Sequence, residues 1–446
     1  MQFLKTIIFW ILTLESRLIL RKYKPFIVAI TGSVGKTSTK DAIFDVLKGH
    51  DGHVRKSDKS FNSELGLPLT IIGVPNAWRS MSGWISNIWV GLLFILFKKE
   101  YPDCLVLEIG ADHPGDIRRI GAWLKPDITV ITQISDVPVH VEFFDSPEQV
   151  RQEKAELVKA LKVAGTLVLF GDNPKVMSLA DMIKEKNPTV ISFGHNEGVD
   201  VRADEYQTLY EEDIPSVSET AASHSAAPCG FSFNLNIDRN VFHISVKGIV
   251  GPSYVYPFLA AAAVGKARGL AVSDIVDSLN QYHAPKGRMR IVPGMHSSTL
   301  IDDTYNSSPD AVVSALLTLK SFEGASRKIA VLGDMMELGQ YSGDEHRKVG
   351  VDVAEFVTIL VTVGQRSRAT ATEAQKAGMS AKDVLSFDTA IEASEYVARI
   401  IAEGDIVLIK GSQSVRMERT VARIMRNPEH ASELLVRQES EWLEKK

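Results

Sequence analysis

Apolar positions follow two patterns that alternate along most of the chain. Short runs rich in β-branched and aliphatic residues recur, and helix-like segments with apolar residues every three or four positions separate them. Uninterrupted apolar runs are typical of strands that are buried on both faces of a parallel sheet. We therefore predict an α/β fold with a helix-covered, mainly parallel sheet. The first five runs are FIVAIT, CLVLEIG, ITVITQI, GTLVLFGD and TVISFG.

The pattern changes twice further along the chain. From Val199 to Val250 it predicts alternating strands, including GFSFNLNI and NVFHISVKGIV, in an antiparallel extension around an exposed polar loop, SETAASHSAAPCG. The segment YHAPKGRMRIVPG then precedes a second series of apolar runs, TLIDDTYN, KIAVLGD, TILVTVG and DIVLIKG, each followed by a helical pattern. We predict a central α/β domain over residues 25–286 and a smaller, Rossmann-like α/β domain over residues 287–446.

Two further apolar segments are residues 1–24, which have the pattern of a surface helix, and residues 84–99, which are too short to span a membrane comfortably. In the first, the uncharged run from Thr6 to Leu14 is short for a membrane span, and no small-residue cleavage site follows it. Each segment either packs on the protein's own core or contacts a membrane surface or a partner protein, and both alternatives stay open. The helically spaced apolar residues of the first segment are Leu4, Ile7, Ile8, Ile11, Leu14 and Leu18.

Composition narrows the kinds of partner and compartment. The 446 residues carry 50 Lys and Arg against 55 Asp and Glu, and this lack of a basic excess argues against a nucleic-acid partner. The two cysteines, Cys104 and Cys229, are too few for a disulfide framework or a cysteine-rich metal site. We therefore expect a cytoplasmic protein that binds no nucleic acid.

The segment IVAITGSVGKTSTKDAI resembles a phosphate-binding loop between a strand and a helix. A glycine turn at a helix start points N–H groups at a phosphate, Lys36 can reach the β- and γ-oxygens, and Thr37 or Ser38 can coordinate magnesium. The loop is tighter than the common pattern, since Ile30 stands where that pattern has its first glycine. The expected nucleotide contacts are Gly32, Ser33, Val34, Gly35, Lys36, Thr37 and Ser38.

Three other residues are weighed as candidates on their local pattern. Glu108 ends an apolar strand before a glycine turn, which favours a metal-binding carboxylate over a helix cap or a surface acid. A lone histidine such as His140 is more often a packed or surface residue than a ligand. Lys154, in EQVRQEKAELVK, would ordinarily belong to a solvated helix face.

Eight motifs in a fixed order resemble those of the Mur ligases, ATP-dependent amide-bond synthetases of peptidoglycan assembly. The loop TGSVGKTSTK is followed by FNSELGLPLTI, LEIGADHPGDI and HVEFFDSPEQVRQEKAEL, and then by GRMR, IDDTYNSSPDAV, VLGDMMELG and IKGSQSVRME. Each motif is weak alone, but the ordered set is specific. Within the family, the chain is most similar to the type that adds D-alanyl-D-alanine.

The resemblance implies a reaction, its substrates and its metals. The γ-phosphoryl group of ATP passes to a carboxylate, and the amine of an amino acid or dipeptide then displaces phosphate from the acyl phosphate. For this chain the resemblance implies an enzyme that joins D-alanyl-D-alanine to a UDP-N-acetylmuramoyl-tripeptide. We expect it to be a cytoplasmic monomer, which lies at the inner membrane face if the apolar segments bind lipid. It further implies two Mg²⁺ ions with Thr37, Glu108, His140 and Lys154 as ligand residues, the last as a carbamate.

The resemblance also assigns roles on both sides of residue 286. It implies that Arg288, Asp303, Tyr305 and Asn306 contact the nucleotide. The neighbouring Asp302 is interpreted as a residue that holds the turn. The implied catalytic residues are Lys36, Glu108, His140, Lys154 and Arg288. The implied substrate contacts are Asn62, Asp334, Glu337, His346, Lys410 and Ser412.

Three departures from the family pattern leave base recognition and the acceptor open. Ser308 replaces a frequent second asparagine, and residues 1–24 are expected to leave no room for the usual uridine-diphosphate-sugar domain. A ligase for a polyglutamate or cofactor carboxylate stays an alternative, and so does a non-catalytic nucleotide-binding scaffold, although a binding module needs no second metal site. Where the family reaches the adenine with a histidine and asparagines, this chain has Ser253, Tyr254, Tyr256 and Pro257.

Overall fold

Two helix-covered sheets organise the computed structural model, which describes residues 2–50, 52–58, 65–78, 80–211 and 227–443. Asn62 and most of the predicted polar loop at 218–230 lie outside the described residues. The last strand of the first sheet ends at residue 247, and the first strand of the second sheet begins at residue 290. The predicted boundary at residue 286 lies between them. The exact domain limits stay a prediction.

The first sheet has nine strands in the order β2-β3-β1-β4-β5-β6-β7-β8-β9. Neighbouring strands from β2 to β7 pair in parallel, and β7, β8 and β9 pair antiparallel, which confirms the predicted sheet and its extension. The strands are β1 (Phe26–Thr31), β2 (Val54–Lys56), β3 (Cys104–Glu108), β4 (Ile128–Ile131), β5 (Thr166–Phe170), β6 (Thr189–Gly194), β7 (Val201–Tyr210), β8 (Pro228–Ile237) and β9 (Asn240–Lys247).

Helices cover both faces of this sheet. Val28 and Ile30 of β1 belong to one buried cluster, and the alternate residues Ile27 and Ala29 belong to another, so both faces of the strand are covered. The helices are α1 (Gln2–Tyr23), α2 (Lys36–Leu47), α3 (Gly66–Ile72), α4 (Met81–Leu96), α5 (Asp116–Gly121), α6 (Pro147–Ala160), α7 (Pro174–Met177), α8 (Val255–Ala267) and α9 (Val272–Asn280).

The second sheet has six strands in the order β10-β11-β15-β12-β13-β14, and only its β10–β11 pair is antiparallel among the described residues. Its strands are β10 (Arg290–Pro293), β11 (Thr299–Asp303), β12 (Arg327–Gly333), β13 (Ile359–Val363), β14 (Val384–Phe387) and β15 (Asp405–Lys410). Its helices are α10 (Pro309–Ser321), α11 (Ser342–Ala354), α12 (Arg368–Lys376), α13 (Ala390–Ile400), α14 (Glu418–Ile424), α15 (Ala431–Leu434) and α16 (Ser440–Leu443).

The helices α1 and α4 pack against the buried cluster on one face of the first sheet, the face to which Ile27 and Ala29 belong. Leu12 and Ile19 of α1 are fully buried there, so the core-packing alternative holds for one face of this helix. Lys22 Nζ donates to three carbonyl oxygens at the end of α4, those of residues 94, 95 and 97, which would otherwise lack helical partners. In the part of the chain that the structure describes, no helix is long and apolar enough to cross a membrane.

Candidate active site

The candidate site lies where the carboxyl ends of neighbouring strands from the two sheets meet. The phosphate-loop sequence follows β1, Glu108 ends β3, and Gln133 follows β4. From the second sheet, Asp303 ends β11 and Lys410 ends β15. Gln133 Nε2 donates to Oδ2 of Asp310, in the first turn of α10, at 3.3 Å. Loops at this edge of parallel sheets are the usual place for nucleotide sites.

The loop after β1 has a backbone that requires glycine at two positions. Gly32 has φ +150°, and a Cβ there would lie 1.9 Å from Thr132 Oγ1. Gly35 has φ +83° immediately before α2. Thr132 Oγ1 donates to the Val34 carbonyl at 2.7 Å, which ties the loop to the end of β4. The side-chain oxygen of Ser33 is buried without a hydrogen-bond partner in the described structure.

Thr37, Glu108 and Arg288 meet at the start of α2. Thr37 Oγ1 donates to Glu108 Oε1 at 3.2 Å, and Arg288 Nη2 donates to Thr37 Oγ1 at 3.3 Å. Lys40 Nζ lies 3.9 Å from the other oxygen of the buried Glu108 carboxylate. Mg²⁺ in nucleotide sites takes one or two hard oxygen ligands from the protein and completes its shell with phosphate and water. This hydroxyl–carboxylate pair therefore fits a Mg²⁺ ion.

Lys36 and Lys154 donate to the same acceptor, the Gly32 carbonyl oxygen, at 3.0 and 2.9 Å. Lys154 is 4% exposed, so the structure places it inside the protein rather than on a solvated helix face. Burial, and then the Lys36 cation, lower the pKa of Lys154 to about 7. Burial also lowers the pKa of Lys36, against the attraction of the Glu108 carboxylate.

The chain has two units, the first built on the nine-stranded sheet and the second on the six-stranded sheet. His140 lies between a carboxylate of the first unit and a carboxylate of the second. It adopts a left-handed conformation, φ 69°, and its Nδ1 is 2.8 Å from Glu337 Oε2. Its Nε2 is 3.6 Å from Asp112 Oδ1. The His140 imidazole, 2.8 Å away, holds the pKa of Glu337 below its ordinary value. Over the described residues, no three Asp, Glu, His or Cys side chains form a cluster suited to a metal ion.

A buried ion pair organises the loop after β11. Lys410 Nζ donates to Asp303 Oδ2 at 2.6 Å and to the Asn306 carbonyl at 3.0 Å. The other oxygen of Asp303 accepts from the Met289 N–H at 3.2 Å, which connects this pair to the segment that carries Arg288. Asp302 accepts from the N–H and the hydroxyl of Thr304, and burial raises the pKa of Asp302 to about 6.

Aromatic residues hold Arg288 from two sides. The Arg288 guanidinium lies 4.1 Å from the centre of the Tyr305 ring. The Tyr254 hydroxyl donates to the Arg288 carbonyl at 2.7 Å and accepts from Ser38 Oγ at 3.4 Å. Tyr254, one of the four residues that depart from the family's adenine-binding pattern, therefore links α2 to the connection between the units. The Nε of Arg288 is buried and unpaired within the described structure.

The departing residues have different neighbours. Tyr256 packs edge-on against Phe170 and His195, with distances between ring centres of 4.8 and 4.9 Å. Pro257 is buried in α8. The adenine contacts stay open.

Three of the implied substrate residues are engaged within the protein. His346 is buried, accepts from the Met335 N–H at Nε2, and contacts the Ser342 carbonyl through Nδ1, which identifies a neutral ring with its proton on Nδ1. Ser412 Oγ accepts from the Met336 N–H at 2.9 Å. Asp334 accepts from the Ser367 N–H at 2.8 Å. These side chains hold the loop that presents Glu337, and their substrate contacts stay a prediction.

Two residues of the site have no role assigned from the sequence. Glu153, beside Lys154, accepts from the N–H groups of Gly115, Ile117 and Arg118 and so orders the loop that carries Asp112. Arg437 donates to the carbonyls of Thr304 and Tyr305. Their burial has no signal in the sequence, because helical periodicity alone does not separate buried charges from solvated ones.

A cleft of about 460 Å³ opens between the two units beside Thr37 and Arg288. Its walls come from α2, the segment after β2, the connection between the units and the chain after α15. Cationic groups line it on both sides, as expected for a pocket that takes phosphate or carboxylate groups. Its charged lining residues are Lys40, Asp41, Lys56, Asp58, Lys286, Arg288, Arg437 and Glu439.

Comparison with known families finds two adjacent matches. The Mur ligase middle domain matches residues 30–264, and the Mur ligase, glutamate ligase domain matches residues 287–413. Together they cover both sheets and the segment that carries Arg288.

Most of the chain aligns with relatives and with solved structures. The UDP-N-acetylmuramoyl-tripeptide–D-alanyl-D-alanine ligase of Bacillus subtilis is 28% identical over 90% of this chain and 76% of its own length. The Mycobacterium leprae protein of the same name is 30% identical over 87% of this chain and 71% of its own. The MurF ligase from Thermotoga maritima, solved in complex with ADP, aligns with a TM-score of 0.74 at 24% identity, covering 96% of this chain and 84% of that one, which supports the fold.

Proposed function

This chain belongs to the Mur ligase family, and we propose that it joins D-alanyl-D-alanine to a UDP-N-acetylmuramoyl-tripeptide. It is an ATP-dependent amide ligase of peptidoglycan precursor synthesis. The substrates are inferred from the names of relatives that align over most of their lengths. The contact that best supports catalysis is the hydrogen bond from Arg288 to Thr37, since it adds a cation from the connecting segment to the phosphate loop.

The reaction has two steps, and both gather negative charge. An oxygen of the tripeptide carboxylate attacks the γ-phosphorus, the bond to the β-phosphate oxygen breaks, and ADP leaves. The dipeptide amine then attacks the acyl carbon, phosphate leaves with the bonding electrons, and the nitrogen loses a proton. Lys36 and Arg288 are the cations we assign to the transferring phosphoryl group, where they offset charge that grows in the transition state.

Metal binding is assigned to the oxygen donors of this site. Thr37 and Glu108 would hold one Mg²⁺, which supplies a positive charge to the nucleotide phosphates. We propose His140 as the protein ligand of a second ion, with Lys154 contributing as a carbamate. Among described residues the imidazole has only Asp112 and Glu337 as acidic neighbours within ion-pair distance.

Two features of Lys154 support carbamylation. The amine is buried and has no ion-pair partner among the described residues, so a neutral form is accessible. Its lowered pKa increases the share of free amine at neutral pH. In the proposed modification, Nζ attacks the carbon of CO₂, an N–C bond forms, and the nitrogen loses a proton, which leaves an anionic group beside Lys36 in place of a second cation.

The proposal is tested with purified chain, ATP, Mg²⁺, UDP-N-acetylmuramoyl-tripeptide and D-alanyl-D-alanine, by phosphate release and product mass. We expect phosphate release only when both acceptor and dipeptide are present. The Lys36→Ala variant should lose about 100-fold or more in kcat/KM, the typical cost of removing one electrostatic donor. Lys48→Ala, at the exposed end of the same helix, is the matched control.

The alternatives predict different outcomes of the same experiment. Release with a polyglutamate or cofactor carboxylate, and none with the muramoyl tripeptide, would replace the proposed acceptor. Nucleotide binding without release under any condition would identify a scaffold. We further propose that the enzyme acts as a monomer in the cytoplasm, in contact with the inner membrane face through α1 and α4.

A further inference from the structure

The helices α1 and α4 expose large apolar side chains although both pack on the core. Trp10 of α1 is 65% exposed, and Trp89 of α4 is 59% exposed. On each helix the exposed residues recur at helical spacing, which makes them one face rather than scattered positions. The outward residues are Ile7, Trp10, Leu14 and Leu18 on α1, and Met81, Ile85, Trp89, Leu96 and Phe97 on or beside α4.

A basic cavity lies beside the carboxyl-terminal half of α1. Its volume is about 670 Å³, and five of its ten lining residues are cationic while none is acidic. Lys162 is already paired with Asp127 at 2.6 Å, and Lys125 Nζ donates to a helix carbonyl. The remaining cations have no ion pair with any described residue. They are Arg17, Arg21 and Lys24.

An apolar groove of about 400 Å³ continues from this cavity along the amino-terminal half of α1. The two share Arg17, Ala122 and Trp123, so they form one site with a cationic end and an apolar end. Arg17 lies 5.8 Å from the Trp123 ring, at the junction. The apolar lining of the groove is Phe9, Trp10, Leu14, Ile120 and Trp123.

We propose that this composite site, with the outward faces of α1 and α4, binds an anionic phospholipid membrane. The headgroup phosphate enters the basic cavity, an acyl chain lies along the groove, and the exposed tryptophans enter the interface between headgroups and chains. This extends the proposed location of the enzyme and does not depend on the ligase reaction.

Charge complementarity selects this occupant. A phosphodiester headgroup matches three unpaired cations without an acid among them, and its attached chain matches the adjoining groove. A purely apolar protein partner would leave those cations buried and unpaired, which is costly. In the proposed contact the amphipathic helices lie on the membrane surface.

The test is co-sedimentation of the full chain with vesicles of phosphatidylcholine alone or mixed with phosphatidylglycerol. We expect binding to the mixed vesicles that weakens with added salt. The triple variant Arg17→Gln, Arg21→Gln, Lys24→Gln should bind them about 100-fold more weakly, because each cation near an anionic surface strengthens binding by about fivefold. The variant Arg347→Gln, Lys376→Gln, Arg399→Gln removes the same charge from the exposed surface of the second unit and should bind normally.

The apolar part is tested by Trp10→Ser with Trp89→Ser, at two mostly exposed positions where substitution leaves the core intact. We expect at least about tenfold weaker binding to mixed vesicles, with unchanged far-UV circular dichroism and unchanged ligase activity.

Equal binding to both vesicle types would overturn the headgroup assignment. Tight binding of inorganic phosphate alone would identify a free-anion site instead. If the chain binds no vesicles but forms a concentration-dependent dimer that these substitutions dissociate, the occupant of the site is a second copy of the chain.

Discussion

At the scale of single residues, two amines share one carbonyl oxygen, that of Gly32. Two ammonium groups at 3.0 and 2.9 Å from one oxygen repel each other, and burial removes the water that would screen them. The pair is least costly when one amine is neutral, and Lys154, with its pKa lowered to about 7, is that one. A carbamate at Lys154 would turn this repulsion into attraction.

Replacing Lys154 tests that role. The Lys154→Ala variant should lose ligase activity, and short carboxylic acids such as acetate or formate should restore part of it by supplying the missing anion. Lys159→Ala, on the same helix but exposed and paired with Glu156, should keep full activity. Steady-state phosphate release measures all three. Normal turnover by Lys154→Ala would rule out the carbamate.

At the scale of secondary structure, the apolar runs predict the long strands of both sheets and miss two short edge strands. All five runs of the first series and all four of the second form strands. The sequence does not predict β2, with sequence VRK, or β14, with sequence VLSF, because each is short and lies at a sheet edge. Edge strands are paired on one side only, so their sequences carry less apolar signal.

The packing of α1 on α4 contains a buried acid that periodicity did not reveal. Glu15 is 3% exposed, and neither of its carboxyl oxygens has a hydrogen-bond partner in the described structure. Gly91 of α4 provides the space, since a Cβ there would lie 2.2 Å from Glu15 Oε2. Burial raises the pKa of Glu15 from 4.5 to about 7. The helix pair is therefore most stable when this carboxyl is protonated.

The raised pKa of Glu15 predicts a pH-dependent stability. Between about pH 4.5 and pH 7 the folded state binds a proton that the unfolded state has lost, so stability should fall by about 3 kcal/mol as pH rises through this window. Glu15→Gln should flatten this decline and make the chain more stable than the wild type at pH 8.

Urea unfolding followed at pH 4.5 and pH 8 measures this effect. Glu100→Gln, at an exposed acid just after α4, is the control and should keep the wild-type slope. If Glu15→Gln shows the same pH dependence as the wild type, the buried carboxyl does not govern the stability of this helix pair.

At the scale of the whole molecule, the two units meet through polar contacts around the candidate site. Arg288 reaches Thr37, and Glu337 reaches His140. Gly339, with φ +52°, lies so close to the turn after His140 that a Cβ would be 2.9 Å from Glu142 Cβ. Because residues of the candidate site come from both units, the relative position of the units determines whether the site is complete.

Gly339→Ala should separate the units locally. The new methyl meets Glu142, so the loop with Glu337 must shift, and a displacement of about 1 Å can cost up to about 100-fold in rate. Gly378→Ala is the matched control, since Gly378 also has a positive φ, +113°, but a Cβ there would meet nothing within 4 Å.

Ligase kcat/KM and melting temperature are measured for both glycine variants. We expect comparable losses of stability, because both strain a left-handed backbone. A marked loss of activity is expected in Gly339→Ala alone. Equal activity in the two variants would show that this contact does not position the site.

The sequence by itself determined the features that depend on neighbouring residues. Uninterrupted apolar runs specify buried parallel strands, and a glycine turn followed by Lys36 and Thr37 predicts a phosphate loop, because both signals lie within a few positions. Only the tertiary structure decided which distant groups meet. Lys154 and Gly32 are 122 residues apart in sequence, and Arg288 and Thr37 are 251 apart. Their contacts arise from strand order and the packing of two units, which no local pattern encodes.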